Sequence, residues 1–211
     1  MKYPIGIQNF EKIRRDGYAY VDKTALMYKL VSEGNYYFLS RPRRFGKSLF
    51  LSTLEAYFDG QKELFEGLAV SRLETEWLRH PILHLDLNAA KYDDIEALNV
   101  ILNVALSEWE NRYGKSDAET TFSTRFMGVI RRAFEKTGRR VVILVDEYDK
   151  PMLQAIGNDA LQTEYRNTLK AFYGALKSCD RYIRFAFLTG VTKFGKVSVF
   201  SDLNNLEDLS L

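Results

Sequence analysis

Tyr36-Tyr37-Phe38-Leu39-Ser40-Arg41-Pro42-Arg43-Arg44-Phe45-Gly46-Lys47-Ser48-Leu49 is the stretch that decides how this chain folds. The apolar run over 36–39 predicts a buried strand. Leu49, Phe50, Leu51, Leu54, Tyr57 and Phe58 recur at helical spacing up to a stop at Asp59-Gly60. Between strand and helix, Gly46-Lys47-Ser48 has the form of the end of a phosphate-binding loop. There, the first amides of a helix lack intrahelical partners and the helix dipole favours an anion. Lys47 supplies a cation for the β- and γ-phosphates, and the Ser48 hydroxyl a ligand for Mg²⁺. The pattern G-x-x-x-x-G-K-[ST] opens on glycine, where this chain has Arg41. Pro42 has a fixed φ and biases Arg41 toward extended backbone, offering rigidity where the first glycine offers latitude. The residues expected around the phosphates are Pro42, Arg43, Arg44, Phe45, Gly46, Lys47, Ser48 and Leu49. Arg43 and Arg44 either clamp phosphate or simply face solvent.

Further along, Val141-Val142-Ile143-Leu144-Val145 is apolar without alternation, as in a parallel strand covered on both faces. Asp146-Glu147 follows at the carboxyl end, where parallel sheets bind their ligands. Asp146 is expected to hold Mg²⁺ through its water shell, and Glu147 to orient or deprotonate an attacking water. An acidic turn after an edge strand would look the same in isolation; the upstream loop favours the functional reading. A last strong strand over 183–188 runs into Thr189-Gly190. The Thr189 hydroxyl is a candidate to sense the γ-phosphate, or a plain turn threonine. The catalytic candidates are therefore Lys47, Glu147 and Thr189; the metal ligands are Ser48 and Asp146; the cofactors are ATP and Mg²⁺.

Strands over 36–39, 82–87, 141–145 and 183–188, separated by helical patterns, predict a three-layer α/β P-loop NTPase fold with a mostly parallel sheet. Residues 1–35 read as a helical segment (near 8–15, and 23–33 with Asp22 as N-cap and Gly34 as C′ residue) packed on a core at 36–211, the two forming one domain. P-loop ATPases with an extra strand between the loop strand and the Asp-Glu strand have five core strands. Here four are counted, and the chain stops at Leu209-Ser210-Leu211. The last core strand is thus expected to be lacking, with an uncovered edge open to self-association. Asp86 reads as a cap, Trp77 and Trp109 as core, Tyr148 as packing, and Cys179 as inert. Tyr18, Tyr20 and Val21 could line an adenine site or the core. Asp149 adds an acid near the centre or pairs with Lys150. Arg181 or Arg184 could act on a neighbour's nucleotide.

Composition bounds the rest. The chain has 211 residues, 46% hydrophobic and 27% charged, as expected of a globular protein. Its net charge of +2, from 30 basic and 28 acidic residues, gives no electrostatic case for nucleic-acid or membrane binding. One cysteine, Cys179, excludes an intrachain disulfide, and His80 and His84 are too few for a histidine metal cluster. No apolar run approaches membrane-spanning length, and the expected location is cytoplasmic.

Several blocks together resemble the bacterial AAA-ATPase-like family, a relation of archaeal-type and signalling P-loop ATPases. They are Tyr20-Val21-Asp22-Lys23-Thr24, Arg41 to Leu49, Val145-Asp146-Glu147-Tyr148-Asp149-Lys150-Pro151, Thr189-Gly190-Val191-Thr192-Lys193-Phe194 and Phe200-Ser201-Asp202-Leu203-Asn204-Asn205-Leu206. The resemblance covers essentially the whole chain and includes Arg41 in the loop. It implies an ATPase module that, in longer members, is often followed by a PD-(D/E)XK nuclease-like domain not contained here. The implied activity is Mg²⁺-dependent ATP binding and hydrolysis. The alternatives are a nucleotide-gated interaction switch with little hydrolysis, or the ATPase part of a nucleic-acid-processing nuclease, nucleic acid entering only by family analogy. Glu147 after Asp146 favours activation of water over a kinase's substrate hydroxyl.

Overall fold

The computed structural model describes residues 2–193, 199–200, 203 and 206–210. Its strands are β1 (Tyr36–Ser40), β2 (Ile82–Asp86), β3 (Val141–Asp146), β4 (Ile183–Gly190) and β5 (Glu207–Asp208). They form one five-stranded sheet in the order β2-β3-β4-β1-β5, with every pairing parallel. The helices are α1 (Phe10–Arg15), α2 (Thr24–Glu33), α3 (Lys47–Phe58), α4 (Ile95–Tyr113), α5 (Phe122–Thr137), α6 (Lys150–Gln154) and α7 (Asp159–Ser178).

Strand alternation sorts the apolar side chains onto two cores. Tyr37, Val142, Leu144, Phe185 and Phe187 face Phe10 of α1, Met27 of α2 and Leu51 and Leu54 of α3. Phe38, Leu83, Leu85, Val141, Ile143, Val145 and Leu188 face Leu102 of α4, Phe126 of α5, Met152 of α6 and Phe172 of α7. This is the three-layer arrangement, and it explains the unbroken apolar run of β3, which is buried along its whole length. Local chemistry sets the helix starts. Asp94 and Asn158 cap α4 and α7, and Thr121 with Thr124 forms a capping box on α5. Among the described residues, no helix is long and apolar enough to cross a membrane.

Several expectations change. The sheet has its fifth strand: Glu207 and Asp208 pair with Tyr37 and Phe38. Two residues sufficed because the flanking chain extends the pairing. Leu209 N–H donates to Phe38 O (2.8 Å), and the Ser210 hydroxyl accepts from Ser40 N–H (2.7 Å). The β1 edge is therefore covered, which removes the premise on which self-association was expected. The polar connector between Gly60 and Pro81, which the sequence also suggests is helical, folds as 3₁₀ turns at Lys62–Phe65 and Ala69–Arg72. Asp22 acts as a cap one residue early: its carboxylate accepts from Thr24 N–H (2.8 Å) and Ala69 N–H (2.7 Å), which ties α2 to that connector. Gly34 ends α2 in extended rather than left-handed backbone. Phe194, Ser201, Asp202, Asn204, Asn205 and Leu211, singled out in the sequence, lie outside the described residues.

On the edge strand β2, His84 faces α3, with Nδ1 3.1 Å from Glu55 Oε2. Burial pulls the imidazole pKa down, but the Glu55 hydrogen bond and the charges of Glu55, Asp146 and Asp86 outweigh it and raise the pKa above its ordinary value. A pKa raised in the folded state adds stability that is full below the unfolded value and lost as pH rises through the folded one. The melting temperature is therefore expected to fall as pH rises from about 6 to about 8, with a smaller fall in Glu55→Gln. Equal slopes in the two proteins would remove the pair from the account.

Candidate nucleotide site

The carboxyl ends of β1, β4 and β3 meet at one edge of the sheet, with β4 between the other two. The loop leaves β1 at Ser40 and is tied to β4 at once, since Arg41 N–H donates to Gly190 O (3.1 Å). It then passes twice through left-handed backbone, at Arg44 (φ 67°) and Gly46 (φ 77°). A Cβ on Gly46 would meet nothing within 4 Å, so glycine is required there by φ and not by space. This settles the puzzle of Arg41: the loop takes its left-handed turns at 44 and 46 and needs no glycine at its first position. Arg44 accepts a strain of about 1–2 kcal/mol to do so. Gly46 caps α3 with no side-chain oxygen, leaving the first amides of that helix for an anion.

Around this cradle, Arg43 and Arg44 are exposed, and neither is ion-paired among the described residues. Pro42 is exposed, and the Phe45 ring is 68% exposed at the loop tip. Ser48 is half-buried in the first turn of α3, while the Leu49 side chain packs into the α3-side core and leaves only its backbone for a ligand.

Lys47 is 5% exposed. Its ammonium donates to Arg41 O (2.8 Å) and Pro42 O (3.3 Å) and lies 3.0 Å from Glu147 Oε1. Glu147 is 8% exposed and sits at φ 56°, a conformation costly for a non-glycine residue. Burial pushes its carboxyl above the ordinary glutamate range, against the opposing pull of Lys47. Contacts with β4 hold the turn: Glu147 N–H donates to Thr189 Oγ1 (3.3 Å) and Tyr148 N–H to Thr189 O (2.8 Å).

Thr189 is fully buried, and its hydroxyl donates to Asp146 Oδ1 (2.6 Å). Its contact is therefore with the Asp-Glu turn. Asp146 lies on the α3 face of β3, in register with Asp86 of β2. Asp86 caps the short turn after its strand, accepting from Asn88 N–H (2.7 Å). With the Ser48 hydroxyl, Asp146 offers hard oxygen ligands of the type Mg²⁺ prefers. Among the described residues, no three His, Cys, Asp or Glu side chains gather into a metal cage. A cation here would complete its shell from water and phosphate, the usual manner for Mg²⁺.

Asp149 has two readings in the sequence, and its contacts decide against the pairing with Lys150. It does not pair with Lys150, whose ammonium reaches Asn88 Oδ1 (2.9 Å). Fully buried, the Asp149 carboxylate accepts from Val191 N–H (3.1 Å), Thr192 N–H (2.8 Å) and the Thr192 hydroxyl (2.9 Å). It thus clamps the ends of β3 and β4 together. Gly190 is part of the same joint, because a Cβ there would lie 2.5 Å from the Tyr148 ring. No periodicity or motif spacing could have exposed these contacts. Tyr148 packs edge-on against Phe38 (5.3 Å), and Trp109 is buried, as expected of both. Tyr20 packs edge-on against Phe10 (5.1 Å), whereas Val21 is exposed. Arg184 bonds Val31 O (2.8 Å) at the opposite end of the sheet. Burial pushes the Cys179 thiol up to about 11.

A crevice of about 890 Å³ also lies at that opposite end, lined by Glu55, Asp59, Gln61, Arg79 and His80. Within it Arg79 pairs with Asp59, while Glu55 is engaged by His84 of β2. The side chains that converge lie instead around the loop between β1 and α3.

Strand order, loop and Asp-Glu turn together define a P-loop NTPase-like protein. The chain belongs to the AAA-ATPase-like family, described as "Predicted AAA-ATPase", whose family model matches residues 4–200. It is also 45% identical over 211 residues to a protein of Azotobacter chroococcum mcd 1 named "Uncharacterized protein in vnfD 5'region". That match covers 100% of this chain and 41% of the relative, so the chain spans about two-fifths of the relative's length. Family membership points to an ATPase-like, nucleotide-binding protein.

Proposed function

We propose that this chain binds ATP with Mg²⁺ at the loop between β1 and α3 and hydrolyses it. The observation that supports this most is the convergence of Lys47, Glu147 and the Thr189–Asp146 pair at one end of the sheet, with Lys47 Nζ 3.0 Å from Glu147 Oε1. The amides of Gly46, Lys47 and Ser48 would hold the β-phosphate, and Lys47 would reach the γ-phosphate. Mg²⁺ held by Ser48 and Asp146 would supply charge neutralisation across the phosphate oxygens. Glu147 would accept a proton from the attacking water, and burial that raises its proton affinity suits a general base. Arg43 and Arg44, exposed beside the loop, are available to further phosphate oxygens.

The direct test is phosphate release from ATP by this chain, with and without Mg²⁺. ATP binding without release would favour a nucleotide-gated switch, and no binding would refute the proposal. In this scheme Thr189 is a positioning residue, its hydroxyl fixing Asp146. Thr189→Val should lower turnover roughly tenfold and raise the Mg²⁺ concentration needed for half-maximal rate, leaving ATP affinity little changed. Thr189→Ser should restore both values; failure of that rescue would deny the hydroxyl its role.

A further inference from the structure

Lys47 has a full set of partners within the chain. An ammonium carries three donors, and Lys47 Nζ meets Arg41 O (2.8 Å), Pro42 O (3.3 Å) and Glu147 Oε1 (3.0 Å). A phosphate oxygen can reach this cation only by displacing one of them. The two carbonyls belong to the loop that encloses Lys47, and they are neutral. Glu147 is the anionic partner and stands in the turn after β3, so it would repel an incoming phosphate and compete with it for the same ammonium. From this we propose that the Lys47–Glu147 ion pair is a latch. It closes the loop to anions and keeps Glu147 away from water, and nucleotide entry breaks it and releases the carboxylate. The inference rests on the reading of the loop as a nucleotide site. It adds that binding and release of the base are one coupled event, so water is activated only beside bound nucleotide. By linkage, a change that weakens the pair from the Glu147 side, leaving Lys47 in place, tightens nucleotide binding.

Nucleotide binding by wild type, Glu147→Gln, Lys47→Met and the double variant, measured by calorimetry with ADP and ATP in the presence of a chelator, tests the latch without turnover. The expected result is about tenfold tighter binding by Glu147→Gln than by wild type, with no such gain when Glu147→Gln is added to Lys47→Met. Equal affinity in wild type and Glu147→Gln overturns the latch and leaves the ATPase reading standing. An equal gain in both backgrounds also overturns it, since relief would then come from removing a negative charge and not from freeing Lys47. Binding by none of the four proteins refutes the ATPase reading and the latch with it. Melting of the same four nucleotide-free proteins gives a second readout. The two substitutions should be non-additive, and strict additivity overturns the ion pair itself.

Discussion

Lys47→Ala is expected to lower nucleotide affinity roughly thirtyfold or more, because truncating one partner of a buried, charge-assisted contact costs about 2–5 kcal/mol. Lys47 is the buried cation within the loop, and its ammonium is held by the carbonyls of Arg41 and Pro42. No flanking side chain can replace it: Arg43 and Arg44 are exposed on the outside of the same loop. Removing Lys47 also leaves the Glu147 carboxylate buried without its cation, so some loss of stability accompanies the loss of binding. Lys47→Met, which retains the aliphatic stem, separates the two effects. Calorimetry with ATP checks the outcome, and affinity within about threefold of wild type would take Lys47 out of phosphate binding.

Glu147→Gln is expected to lower turnover by about 10²–10⁴ while ATP still binds, since a positioned base contributes on that scale. Glutamine keeps the shape and can occupy the same left-handed turn after β3, so the hydrogen bonds to Thr189 should survive. What it cannot do is take a proton. Single-turnover hydrolysis at saturating ATP is the measurement. An unchanged rate would assign the proton to another acceptor. The opposite pattern, lost binding with turnover per bound nucleotide intact, would make Glu147 a structural support for the loop.

Much of the architecture was legible because it rests on short-range rules. The apolar runs at 36–39 and 141–145, the helical recurrence from Leu49 to Phe58, and the Gly46-Lys47-Ser48 turn each carry their own physical reason. Four of the five strands could be located this way. The fifth could not, because Glu207 and Asp208 have no strand pattern; they pair only because β1 offers an edge at the right height. Arg41 looked like a flaw in the loop until backbone angles moved the left-handed positions to Arg44 and Gly46. Asp149 and Gly190 stayed ambiguous because their partners lie across two strand ends.

By itself, the sequence determined the layer class, the position of the Gly46-Lys47-Ser48 loop and that of the acidic pair, since composition and local periodicity dictate which segments become strands and helices and which residues end them. Only the tertiary structure decided what those residues do to one another. Placing β4 between β1 and β3 sets the Thr189 hydroxyl on Asp146, and it brings Glu147 onto Lys47. The physical reason is that both contacts cross the sheet between segments remote in the chain. Their geometry is fixed by strand register and helix packing, which no local pattern records.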